Sequence, residues 1–248
     1  MRALITGASS GLGRDFAIKL SEMGYDLVLV SRDKKNLEEV KKMCKTNTEI
    51  LCYDLTKRDN VYKVFDKYKD IDLLINNAGF GLFGKFNETN LDKELDMIDL
   101  NVTAVHILTK LYYKEMIKKD SGRILNIASI AAFLPGPLMN TYYASKVYVY
   151  RLTLALHEEL RHLKSNVKVS VLCPGPFISN FNNVANVRFE LPSLTSDYVA
   201  EYALNKMFKN KLIIIPGFKN KVAYYGLKLV PIKMQLKMDY DMQKRKDG

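Results

Sequence analysis

A chain of 248 residues, 48% hydrophobic and 26% charged, has the composition of a globular protein with enough core for one sizeable α/β domain. No apolar run approaches the roughly 20 residues of a membrane-spanning helix, and the N-terminal MRALITGASSG enters a strand pattern without a signal peptide's apolar stretch, so the expected location is cytoplasmic. The net charge of +11 is uneven: Lys206 to Gly248 holds 11 Lys and Arg against 3 Asp, and a nearly neutral body with a basic tail disfavours a nucleic-acid-binding domain.

Seven short, nearly continuous apolar runs alternate with helical periodicity: RALIT (2–6), DLVLV (26–30), EILCY (49–53), DLLIN (72–76), RILNIAS (123–129), VKVSVLC (167–173) and LIIIP (212–216). Strands that do not alternate are covered on both faces. The pattern predicts an α/β fold, a Rossmann-type doubly wound parallel sheet of about seven strands with helices on both faces. This single domain is expected over residues 1–217, with a basic C-terminal extension at 218–248. Ligands of such sheets bind beyond the C-terminal strand ends, where strand order reverses.

Directly after the first run, Gly7, Gly11 and Gly13 are spaced G-x-x-x-G-x-G and open a helical segment. Glycines there allow a tight turn and close approach of backbone N–H groups to a pyrophosphate, so Gly7, Ser9, Ser10, Gly11, Leu12 and Gly13 form the expected dinucleotide cradle. After the second run stand Ser31 and Arg32, where an NAD site places an acid. A guanidinium there can hold a 2′-phosphate by paired hydrogen bonds, which points to NADP(H). Asp33 is the counter-argument, since its carboxylate could serve a ribose hydroxyl instead. Cys44, Cys52 and Cys173 show no metal or redox spacing and are expected as buried hydrophobes; His106, His157 and His162 show no metal pairing, and no metal site is expected.

Tyr142 and Lys146, four apart in a long helical segment, lie on one face. The ammonium favours the phenolate and is expected to pull the phenol from about 10 toward neutrality, where it serves acid–base chemistry. Tyr143 also lies near Lys146, and spacing alone does not choose between the two phenols.

Three motifs in order, T-G-x-x-x-G-x-G at Thr6 to Gly13, N-N-A-G at Asn76 to Gly79 and Y-x-A-S-K at Tyr142 to Lys146, resemble those of the classical short-chain dehydrogenase/reductase family. The resemblance selects Tyr142 as the catalytic phenol. It implies that Ser129 hydrogen-bonds the substrate oxygen, that Asn101 holds a water linking Lys146 to solvent, and that Lys146 also holds the nicotinamide ribose. It further implies adenine contacts at Asp54 and Leu55, a cleft lined by Asn77, Ala78 and Gly79, and a nicotinamide-side turn at Pro174, Gly175 and Phe177 followed by the hydroxyl of Ser179. The activity implied is NADPH-dependent reduction of a carbonyl by hydride transfer. The alternatives are an NADP-binding regulatory or scaffold protein with little turnover, and an alcohol dehydrogenase running toward oxidation.

The substrate-facing segments 80–91, 130–140 and 177–194 are rich in Phe, Leu, Met and Val, which suggests an apolar small molecule; Lys85 and Arg188 read better as solvated charges than as anion ligands. In the extension, residues 232–238 alternate like a strand, whereas Ile232, Leu236 and Tyr240 would share a helical stripe, so periodicity leaves its form open. Three partners are weighed for it: the substrate pocket or a neighbouring subunit of a homo-oligomer, an anionic membrane surface met peripherally, and, least favoured, nucleic acid.

Overall fold

Seven parallel strands run in the order β3-β2-β1-β4-β5-β6-β9, being β1 (Arg2–Thr6), β2 (Asp26–Ser31), β3 (Thr48–Cys52), β4 (Leu73–Asn76), β5 (Arg123–Ile127), β6 (Lys168–Leu172) and β9 (Ile213–Ile214). The computed structural model that gives this order describes residues 1–178, 194–227 and 229–244. A short parallel ribbon, β7 (Phe177–Ile178) with β8 (Leu194–Thr195), lies apart from the main sheet. The doubly wound sheet expected from the runs is therefore present.

Helices cover both faces. On one side α1 (Gly11–Glu22), α2 (Lys34–Met43) and α7 (Ser196–Phe208) bring Phe16, Leu20, Leu37, Val199 and Ala203 onto Ile5, Leu29 and Ile75. On the other, α3 (Arg58–Lys67), α5 (Val105–Lys119) and α6 (Asn140–His162) bring Val61, Val64, Leu108, Tyr112 and Leu160 onto Leu4, Val28 and Leu74. Alternate residues of β1, β2 and β4 thus serve opposite faces, and both sets are apolar, which explains the unbroken hydrophobic runs.

Strand order reverses between β1 and β4, the place beyond whose strand ends such sheets bind their ligands. Between α4 (Leu91–Ile98) and α5 the backbone takes a π-helical turn at Asp99–Ala104, which carries Asn101. Such turns insert an extra residue and re-aim a side chain.

Four strands, β4, β5, β6 and β9, are shorter than their apolar runs, two of them for visible reasons. The run 123–129 stops at Ile127, because Ser129 is extended and caps a 3-10 turn (Ile130–Phe133), its Oγ accepting from Ala131 N at 3.1 Å. The run 212–216 is reduced to Ile213–Ile214, an edge strand that ends before Pro216. Cys52 departs from the expected burial: it is exposed, because it ends the edge strand β3, and Cys44 is only half-buried, while Cys173 is buried. The extension forms two helices, α8 (Phe218–Leu227) and α9 (Ile232–Lys244), separated at Pro231.

Candidate active site

The glycine loop closes tightly against the loop after β4. Gly7 has φ +64, and a Cβ there would lie 2.8 Å from Ala78 Cα; one on Gly13 would lie 2.6 Å from Asn77 Nδ2. Thr6 organises the junction, accepting at Oγ1 from Asn77 N and Ala78 N, each at 3.0 Å, while Asn77 Nδ2 donates to the carbonyls of Thr6 and Gly7. Asn77 thus shapes the cradle through its side chain.

Ser10 stands at the N-cap of α1 yet makes no side-chain cap, and the first turn holds no acid. The start of α1, with Gly11, Leu12 and Gly13, therefore offers backbone N–H groups to an anion, as a pyrophosphate site requires. Ser9 and Ser31 share a hydrogen bond of 2.9 Å between their hydroxyls, tying the cradle to the end of β2. Next to it Arg32 is exposed, whereas Asp33 caps α2: its carboxylate accepts from Asn36 N at 3.0 Å and from Asn36 Nδ2 at 2.6 Å. After β3, Asp54 accepts from Thr56 N and Thr56 Oγ1 at 3.0 and 2.9 Å, and Leu55 is packed in the core.

On α6, Tyr142 and Lys146 lie on one face, as their spacing implied, Tyr142 toward Ser129 and Lys146 toward the end of β5. The Ser129 hydroxyl hydrogen-bonds the Tyr142 phenol, and Lys146 Nζ, 5.7 Å from the Tyr142 ring centre, donates to the Ile127 carbonyl at 3.0 Å. Asn101 is fully buried; its Nδ2 donates to Phe80 O at 2.9 Å and Ser145 Oγ at 3.1 Å, and its Oδ1 accepts from Phe80 N at 3.1 Å. Gly79 fits beside it only as glycine, since a Cβ would come within 2.8 Å of Asn101 Oδ1 and 3.3 Å of Lys146 Nζ. Pro174 O accepts from Ile130 N at 3.0 Å, joining the loops after β5 and β6; Pro174 and Gly175 are buried, and Phe177 packs against the sheet core. Ser179 and Arg188, with most of the segment 177–194, lie outside the described residues.

The acid–base expectation needs correcting. Burial pushes the Tyr142 phenol up to about 12, opposed by the Ser129 hydrogen bond, instead of toward neutrality. Burial likewise brings the Lys146 ammonium down to about 8. Desolvation is the leading cause in both cases: Tyr142 and Lys146 are buried, and the ammonium is held by the Ile127 carbonyl.

Around Tyr142 lies an apolar cluster of Met97, Ala131, Met139 and Tyr143, bordered by Phe80, Leu82, Phe83 and Leu134. Both the 80–91 and 130–140 segments contribute to it. Lys85 is paired with Glu88 at 2.8 Å on the surface, as its solvated reading expected. Sequence reasoning missed the clasp on this cluster from the extension. Asp239 accepts from Gly136 N at 2.7 Å, and Gln243 Nε2 donates to the Tyr143 hydroxyl. Asn220 of α8 lies where a Cβ on Gly175 would reach its amide at 2.6 Å. Nothing local marks these partners, since the first two contacts span 103 and 100 residues.

A Rossmann crevice with this serine, tyrosine and lysine arrangement defines a nucleotide-dependent oxidoreductase class, and comparison with known proteins agrees. The family described as short chain dehydrogenase matches residues 1–188, and the chain belongs to it. An uncharacterized oxidoreductase of Staphylococcus epidermidis is 33% identical over 177 residues, covering 70% of this chain and 76% of that one. The human very-long-chain 3-oxoacyl-CoA reductase is 34% identical over 175 residues, covering 64% of this chain and 54% of that one. Among solved structures, a short-chain dehydrogenase from Sphingobium yanoikuyae in complex with NADPH superposes with a TM-score of 0.84 at 30% identity, covering 96% of this chain and 95% of that one. A short-chain dehydrogenase/reductase from Burkholderia phymatum in complex with NAD gives 0.76 at 25%, covering 86% and 88%. The family uses nicotinamide nucleotides of both kinds.

Proposed function

We propose that the protein is an NADPH-dependent reductase that converts a carbonyl of a largely apolar small molecule to an alcohol. One observation carries the reading: the Ser129 hydroxyl hydrogen-bonds the Tyr142 phenol, so the two can hold one carbonyl oxygen, and a phenol that burial keeps protonated can give it a proton. In this reading Ser129 and Tyr142 hold the carbonyl oxygen, Tyr142 gives it a proton, and Lys146 holds the nicotinamide ribose. Asn101 holds Phe80 and Ser145 in place, and with them the wall of the cleft beside Lys146. The nicotinamide, when bound, supplies the hydride to the carbonyl carbon.

The preference for the phosphorylated nucleotide rests on Arg32 and Asp33 together. The carboxylate that would favour NADH is engaged at the N-terminus of α2, while the Arg32 guanidinium is exposed beside the cradle and makes no ion pair among the described residues. The apolar cluster around Tyr142 supports an apolar substrate, and the 3-oxoacyl-CoA reductase relative makes 3-oxoacyl thioesters one class worth testing.

The test is loss of NADPH absorbance against a panel of aldehydes, ketones, keto-esters and 3-oxoacyl thioesters, with the Tyr142→Phe variant alongside. Turnover is expected with NADPH, and Tyr142→Phe is expected to remove it by about a hundredfold or more while keeping nucleotide affinity. Absence of consumption across the panel would favour the scaffold reading, and faster turnover of alcohols with NADP⁺ would reverse the direction.

A further inference from the structure

Helix α9 is built inside out. Of its 13 residues only Asp239 and Gln243 are buried; Asp239 faces the loop before Tyr142 and Gln243 faces Tyr143 on α6. Gln235, one turn earlier on the same stripe, donates to the carbonyls of Leu227 and Val230 at 2.9 and 2.7 Å. With the polar stripe turned inward, the rows Ile232, Leu236, Tyr240 and Met234, Met238, Met242 flank it on the outside, each residue 43% to 61% exposed. Helix α8 buries none of its residues. Its Phe218, Val222 and Tyr225, at i, i+4 and i+7, form an outward apolar row 80%, 54% and 64% exposed, and Leu229 continues beyond it at 87%.

Soluble surfaces seldom leave contiguous apolar area of this kind uncovered. The charges mixed into it say what covers it. Lys219, Lys233, Lys237 and Lys244 are exposed on the two helices and engage in no ion pair among the described residues, while Asp241 is the one exposed acid described there. The sequence adds Arg245 and Lys246 against Asp247. A second copy related by a two-fold axis would bring two such lysine-rich faces together. An anionic lipid surface complements them, takes up aromatic and methionine side chains at its boundary, and lets lysine stems lie along the apolar rows with their ammonium groups among the headgroups.

We propose that α8 and α9 form a docking surface for a bilayer containing anionic phospholipid. The helices lie on the surface, since no described helix is long and apolar enough to cross a membrane.

Co-sedimentation of the full chain with phosphatidylcholine vesicles, with and without phosphatidylserine, tests this. Binding is expected with phosphatidylserine, weakening as salt is raised. Lys233→Glu with Lys237→Glu is expected to lower it by about tenfold or more, each lysine near such a surface contributing about fivefold. Val222→Ser with Leu229→Ser is expected to lower it on both vesicle types. Circular dichroism and sedimentation velocity on every variant separate loss of binding from loss of fold or change of assembly. Equal recovery on both vesicles would overturn the proposal, as would a concentration-dependent dimer abolished by Val222→Ser with Leu229→Ser, which would assign the face to a second copy.

Discussion

Lys146 illustrates what the site costs the fold. In the unfolded chain its ammonium titrates near 10.5, but burial holds it at about 8 in the native state. Between those values the unfolded chain binds a proton that the native chain does not, so stability rises with pH across that window. Below about 8 the native protein carries a buried ammonium, a penalty on the order of 3 kcal/mol. Replacing Lys146 with Met is therefore expected to abolish turnover yet stabilise the nucleotide-free protein at pH 7, and to flatten the rise in stability above pH 8; urea unfolding at several pH values reads both effects. Equal stability of the two proteins would mean that the ammonium is solvated. At the other end of the crevice, Arg32→Ser is expected to weaken NADPH by about tenfold to a hundredfold, the range of charge-assisted hydrogen bonds, and to leave NADH unchanged. Parallel fluorescence titrations distinguish this from a general loss of nucleotide binding.

At the scale of elements, the loop after β1, the loop after β4 and the start of α6 were legible because each carries its own local pattern: glycines where φ is positive, Asn77 and Gly79 where backbones meet, and a tyrosine one turn from a lysine. The strands were legible as runs because both sheet faces are covered. What was not legible depends on distant partners. The Tyr142 phenol is governed by burial that no spacing encodes, and the apolar character of α9 gave no hint that Asp239 and Gln243 would be its inward side. Those two residues clasp the start of the catalytic helix and the segment just ahead of it, Gln243 at Tyr143 and Asp239 at Gly136, whose φ of +69 leaves no room for a Cβ beside the Tyr143 ring. Gln243→Leu is expected to raise KM for the carbonyl substrate several-fold without changing the NADPH dissociation constant. A variant that merely melts earlier, with unaltered KM, would show that the clasp is structural only.

Across the whole molecule, charge and contact are divided between the two ends of the chain. The crevice is built from residues 6 to 177, with loops after β1 and β4 set by strand order and the phenol, serine and lysine set by α6 and β5. The cationic surface belongs to the last two helices. Because α9 touches the loop before Tyr142 on one side and faces outward on the other, any linkage between events at the two sides runs through it. Whatever factor an occupied outer face lends to the grip on a cleft ligand, that ligand must return to the outer face. Vesicle affinity measured with the crevice empty and then saturated would yield that factor directly, and a ratio of one would mean that the helix is a passive girder instead of a lever.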